Sequence, residues 1–277
     1  MNLAVDIVRV EEELLIRAFS MRGLRPTIIY SNTLYSIPED RLSSSVVLVR
    51  NISAANSIYV AAITEASNGV AINPLRALIV GHDKILTYST LVRNKIKIPQ
   101  SIIALENSRL EDYVDDISYP IIDKPPIGSW GRLVSLVKTP TAFKEVIKHR
   151  SILANPQLRV HIIQKPANLG SDIRCLVVGD SIAACMMRKG QLGEWRSNAA
   201  LGGSVIPYKP SLEVEEAALK SATLVGAEIA GVDILHDDGD YYVNEVNVVP
   251  EFKALMKATS IDISEVIASY ILNKLKR

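Results

Sequence analysis

Short apolar runs alternate along the chain with stretches in which hydrophobic residues recur every three or four positions. Residues 3–8 read as a buried strand. Residues 11–21 read as a helix, with Leu14, Leu15, Ala18 and Met21 on one side and Gly23 closing it. Strands are expected at 26–30, 45–49 and 70–73, with a helix over 57–67 that stops at Asn68-Gly69. This alternation predicts a parallel α/β layer over residues 1–82. The first strand runs into Val8-Arg9-Val10-Glu11, so no glycine-rich dinucleotide fingerprint follows it.

The texture changes after His82. A helix is expected over 83–94, strands over 101–105, 120–125 and 132–137, and an amphipathic helix over 143–150. From 161 onward antiparallel signals dominate. Residues 172–178 and 181–188 flank Gly179-Asp180 as a hairpin, and 232–235 and 241–247 flank a turn at 237–240 as a second one. Helices are expected over 213–229 and 263–276. The fold class is therefore α/β followed by α+β, divided at 1–82, 83–160 and 161–277.

The chain has 277 residues and a net charge of 31 − 30 = +1, so no global basic footprint points to nucleic acid. The longest apolar stretch, near 222–235, is interrupted by Glu228 and Asp233 and cannot cross a bilayer. Asp6 and Glu11-Glu12-Glu13 stand where an export signal needs its apolar segment, so a cytoplasmic protein is expected. Cys175 and Cys185 lie inside apolar strand patterns and read as buried thiols. His82, His149, His161 and His236 have no metal-site spacing and read as surface or satisfied core residues. No serine sits in a nucleophile elbow.

Candidate chemistry gathers late in the chain. Residues two apart on a strand share a face, so Glu245 and Asn247 point the same way. A turn at 238–240 sets Asp233 nearly opposite Glu245. Two carboxylates and an amide so placed suit Mg²⁺, although ordinary hairpin ends carry the same residue types. Upstream, Lys124 ends a strand before Gly128-Ser129-Trp130-Gly131, a loop whose backbone N–H groups can approach phosphate oxygens. A plain turn gives the same pattern, and Trp130 also suits a core position. Lys84 opens the helix after His82-Asp83. Arg174 and Arg188, on the two arms of the first hairpin, can stabilise charge on a transferring phosphoryl group or lie on the surface. Asn198 with Gly202-Gly203 forms a polar segment suited to a substrate loop or a connector.

Taken in order, these features resemble an ATP-grasp ligase with an N-terminal Rossmann-like domain, of the RimK-like glutamate-ligase branch. More narrowly, they resemble the enzymes that attach glutamate or 2-aminoadipate to the acidic carrier protein LysW in arginine and lysine biosynthesis. Gly-Ser-Trp-Gly-Arg at 128–132 and Glu-Val-Asn at 245–247 with Glu-Phe-Lys at 251–253 carry the likeness most specifically. The resemblance implies that Lys84 and Lys124 hold the phosphates of ATP and that Gly128, Ser129, Trp130 and Gly131 close over them. Gln164 and Lys165 would flank adenine, at a hinge where glutamine–glutamate is usual. Asp233, Glu245 and Asn247 would bind Mg²⁺, and Arg174 and Arg188 would stabilise the acyl phosphate and its adduct. Asn198, Gly202, Gly203, Phe252 and Lys253 would form the amino-acid site. Ala254-Leu255 resembles the glutamate-type members, in which a bulky side chain would shorten the pocket; dual specificity stays open. The same chemistry serves ligases acting on another protein C-terminus, and a nucleotide-binding regulator without turnover is the rival from another class. An acidic carrier implies a basic docking surface, for which Arg9, Lys95, Lys97, Arg132, Lys189 and Arg196 are candidates. Such relatives often associate as dimers or tetramers.

Overall fold

The computed structural model describes residues 1–105, 107–191, 195 and 203–276. Strands β1 (Asn2–Val5), β2 (Thr27–Tyr30), β3 (Val46–Val49) and β4 (Val70–Ile72) form a parallel sheet in the order β2-β1-β3-β4. Helices α1 (Val10–Met21) and α2 (Ala54–Ala66) connect them. Ser53 caps α2 by accepting from Asn56 N, which places its start three residues before the expected position. Two helices follow: α3 (Leu75–His82), for which the sequence pattern predicts no element, and α4 (Lys84–Arg93). Asp83 divides them, its carboxylate accepting from Ile85 N at 2.8 Å and Leu86 N at 3.1 Å.

The second sheet is built from β5 (Ser101–Ala104), β6 (Ile121–Lys124), β7 (Ser135–Val137) and β8 (His161–Gln164), in the order β5-β8-β6-β7, with α5 (Pro140–Ser151) packed on it. This module takes in β8, beyond the expected division at 160. Its own core is small: Leu110, Val114, Ile121, Val137, Phe143, Ile147 and Ile163. Beneath it lies a buried polar knot. Arg150 Nη1 donates to Asp123 Oδ2 at 2.6 Å, and the other Asp123 oxygen is 2.8 Å from His161 Nδ1. Alternation along β6 puts Asp123 on this inner face and Lys124 on the other.

The third sheet runs β11-β10-β9-β12-β13, all antiparallel, from β9 (Ser171–Val178), β10 (Ser181–Lys189), β11 (Ser204–Pro207), β12 (Ile229–Asp237) and β13 (Asp240–Asn247). Helix α6 (Leu212–Val225) ends four residues before the expected 229, because Gly226 takes the left-handed conformation (φ +86°) and releases the chain into β12. Helices α7 (Lys253–Thr259) and α8 (Ile263–Leu275) complete the chain. Cys175 and Cys185 face each other across β9 and β10 and form a disulfide, which corrects the expectation of two thiols; both are buried, as expected.

The first and third sheets share their cores. Leu3 and Val5 of β1 and Leu15 and Phe19 of α1 pack with Leu176 and Val178 of β9 and with Ile263, Ile267 and Ile271 of α8. On the other face, Val60, Leu78 and Leu91 join Val177, Val225, Val232 and Val246. Each such side chain, fully buried, contributes ~1.5–3 kcal/mol. Asn73 joins the two sheets with all its hydrogen-bonding capacity: Nδ2 donates to Ile229 O and Val248 O, and Oδ1 accepts from Glu228 N and Ile229 N. Among the described residues no helix is long and apolar enough to cross a membrane.

Candidate active site

One face of the third sheet changes character along its length. At one end Leu176, Val178, Met186 and Ile229 are apolar and packed on the core. At the other end the same alternation presents Asp172, Arg174, Arg188, Asp233, Glu245 and Asn247. Register explains their meeting: Asp233 stands opposite Arg174 on one side and Glu245 on the other, Arg188 opposite Asp172, and Asn247 opposite Gly231. Arg174 grips Asp233 through two bonds of 2.6 Å, while Arg188 Nη2 lies 2.9 Å from Asp233 and the same guanidinium binds Asp172. Burial would raise the Asp233 pKa, but Arg174 and Arg188 outweigh it and hold it at about 2. Burial would likewise lower the Arg188 pKa, and the Asp233 and Asp172 carboxylates raise it instead.

Asp172, Arg188, Asp233 and Glu245 of this patch line one wall of a cleft, and the second sheet forms the other. Lys84 Nζ lies 3.1 Å from Gly128 O and 3.2 Å from Glu245 Oε1, so it spans the cleft. Lys124, 5% exposed, donates to Tyr88 Oη at 2.8 Å and Asn244 Oδ1 at 2.9 Å. Burial, aided by Lys84, lowers its pKa to about 7. Gln164 is buried and donates to Ser101 Oγ at 2.8 Å and Tyr88 Oη at 3.2 Å; Lys165 beside it is exposed at the cleft. The loop over the cleft has Gly128 at φ +127°, a conformation open to glycine. Ser129 and Trp130 are exposed there, with the Arg132 guanidinium 4.9 Å from the Trp130 ring centre, so Trp130 is not a core anchor.

Asn247 Nδ2 reaches Gly231 O at 3.3 Å and Asp233 Oδ2 at 3.5 Å, so Asp233, Glu245 and Asn247 share one face. Among the described residues no three His, Cys, Asp or Glu side chains surround one point, so an oxygen cage here requires the amide as its third donor. Two carboxylates and an amide form a hard-oxygen set that fits Mg²⁺.

Other expectations fare differently. Phe252 is fully buried in the core shared by the first and third sheets, under the Arg50 guanidinium, and lines no cleft. Leu255 is also a core side chain, so it cannot shorten a substrate pocket by direct contact. Lys253 is exposed, its backbone N–H facing Glu11 Oε1 at 3.5 Å. Asn198, Gly202 and Arg196 lie outside the described residues; Gly203 precedes β11. Of the docking candidates, Arg9 is bound to Glu12 and Glu251 and Lys97 to Asp240, while Lys95 and Lys189 are exposed. Asp172, Tyr88 and Asn244 complete the site without having been singled out as site residues. Tyr88 was within reach, since it stands one helical turn after Lys84 on the same face.

A RimK-like ATP-grasp domain matches residues 81–271. The glutamate–LysW ligase ArgX of Sulfolobus acidocaldarius is 39% identical over 279 residues, covering 99% of either chain. The α-aminoadipate–LysW ligase LysX of the same organism is 29% identical, covering 97% of this chain and 98% of its own. The fold is similar to that of a RimK-domain ATP-grasp protein from Sphaerobacter thermophilus (TM-score 0.74, 20% identity, 98% and 100% coverage). It is also similar to the ATP-grasp ligase PsnB in a complex with a precursor variant, Mg and ADP (TM-score 0.77, 15% identity, 98% and 97% coverage). The molecule is an ATP-dependent carboxylate–amine ligase. The chain belongs to the RimK-like ATP-grasp family.

Proposed function

We propose that this enzyme joins the α-amino group of glutamate to the side-chain carboxylate of the C-terminal glutamate of LysW, with ATP as phosphoryl donor, in arginine biosynthesis. The graded likeness carries the choice of amino acid: 39% identity to the glutamate ligase of one organism against 29% to its aminoadipate ligase.

The side chains support the chemistry. A carboxylate oxygen of the carrier attacks the γ-phosphorus and ADP departs; the incoming amine then attacks the acyl carbon, phosphate leaves and the nitrogen loses a proton. No enzyme nucleophile is needed, only positioning and neutralised charge. Lys84 and Lys124 hold the phosphates beneath the 128–131 loop, and Gln164 with Lys165 borders the adenine end. Arg188 and Arg174, already gathered at Asp233, face the transferring phosphoryl group and the tetrahedral adduct. Asp233, Glu245 and Asn247 would hold Mg²⁺, which when bound neutralises charge on the phosphates.

The test is mass spectrometry of LysW after incubation with enzyme, ATP, Mg²⁺ and each amino acid in turn. Addition of one glutamate is expected. Incorporation of 2-aminoadipate at least as well as glutamate overturns the glutamate assignment. Phosphate release that needs a different protein terminus overturns the carrier.

A further inference from the structure

Tyr88 is the side chain through which the two walls of the cleft meet. Its helix α4 belongs with the first and third sheets, since Leu91 lies in their shared core. Its phenol nevertheless reaches the second sheet: Tyr88 Oη accepts from Lys124 Nζ at 2.8 Å on β6 and from Gln164 Nε2 at 3.2 Å on β8. It donates to the main-chain oxygen of Asn244 on β13 at 2.8 Å. A hydroxyl has one proton to give and two lone pairs, and all three are in use. The residue is 4% exposed and touches no open part of the cleft, so its hydroxyl cannot itself bind a nucleotide.

We propose that Tyr88 is a positioning residue that sets Lys124 and Gln164 against β13, and thereby fixes the width of the nucleotide cleft. The inference rests on the assignment of Lys124 and Gln164 to the nucleotide. Without the hydroxyl Lys124 keeps only Asn244 Oδ1 and Gln164 only Ser101, so both swing more freely and the carbonyl next to Glu245 loses its donor. A fold-supporting tyrosine would lower stability when truncated and leave the affinities of the folded enzyme alike. A positioning tyrosine separates the nucleotide from the other substrates.

The test is Tyr88→Phe in the full chain, with ADP affinity read by calorimetry and the KM values for ATP and amino acid read by phosphate release. ADP binding should weaken about tenfold, as for a lost hydrogen bond to a charged group, with KM for ATP rising in parallel. KM for the amino acid should stay within about twofold. Unchanged ADP affinity, or an equal rise in both KM values, overturns the proposal. Thermal melting read beside ADP affinity separates the two roles: a lowered melting temperature with wild-type ADP affinity in the folded Tyr88→Phe enzyme also overturns it. Lys124→Met separates the two ideas: wild-type ADP affinity there defeats the nucleotide assignment, whereas loss there with full affinity in Tyr88→Phe defeats only the role of Tyr88.

Discussion

The two walls of the cleft are built on different principles. The wall bearing Asp233 and Arg188 is one face of a five-stranded sheet that shares extensive cores with the parallel sheet of the first eighty residues. Among the described residues, the wall bearing Lys124 and Gln164 rests on one cluster of seven buried apolar side chains and a charged knot of Asp123, Arg150 and His161. Far fewer buried apolar side chains hold the smaller wall than the larger body, so it stands on a narrower margin. A ligase that must admit ATP, hold it out of water and release ADP benefits from one wall that is fixed and another that yields. Elements that move are drawn from the less stable part of a fold.

A matched pair of substitutions gives the hardest test of this contrast. Phe143→Ala and Phe19→Ala should each cost ~3–5 kcal/mol. The first should unlock residues 101–164 to fast amide exchange and abolish ADP binding, while the other two sheets stay protected; the second should lower one global transition. A single cooperative loss in both variants would erase the distinction. Next in size, Arg188→Ala should reduce kcat by ~10²–10³-fold with ADP affinity within a few-fold, measured by phosphate release and calorimetry. A loss expressed mainly in ADP binding would remove Arg188 from the chemistry and make it part of the nucleotide seat.

Reduction of Cys175–Cys185, ten residues apart in sequence, should cost at most ~3 kcal/mol and act only on the larger body. The expected sign is a lower Tm in dithiothreitol with the exchange rates of the second sheet unchanged. The smallest effect concerns Lys124, whose pKa falls from 10.5 to about 7 through burial and then through Lys84. The unfolded chain binds this proton between about pH 7 and 10.5 and the folded one does not, so stability from this group grows as pH rises across that window. Phosphate beside the ammonium restores the charge. ADP binding at pH 8 should therefore take up a fraction of a proton, detected by calorimetry in buffers of different ionisation enthalpy and absent in Lys124→Met.

Sequence reading reached the elements whose side chains alternate cleanly. The two hairpins of the third sheet fall close to their expected positions, and with them the face shared by Asp233, Glu245 and Asn247. Periodicity also located α1, α4 and α8. It assigns no element to α3, because Pro74 reads as the end of the strand before it while in the fold it also leads into the helix that begins at Leu75. It ran α6 past Gly226, since apolar residues continue into β12 without a change of composition. The disulfide was out of reach because it depends on the register between β9 and β10, and the same limit hid the Arg174–Asp233 pair. Phe252 and Leu255 show the converse: a motif marks a segment as important without saying which way its side chains point. Tyr88 required only a helical turn counted from Lys84, but its three partners lie on strands that only tertiary structure brings together.

Asn73 imposes a condition on modularity. Its side chain fastens the beginning of β12 and the segment just past β13, the two strands that carry Asp233 and Glu245, to the end of the first sheet. The portion that matches the RimK-like domain starts at residue 81, so Asn73 lies outside it. Excising that portion would cut the acidic strands loose at both ends and strip half of each shared core. Any graft of a new leading segment onto this scaffold therefore has to supply an equivalent clasp before the catalytic face can keep its spacing.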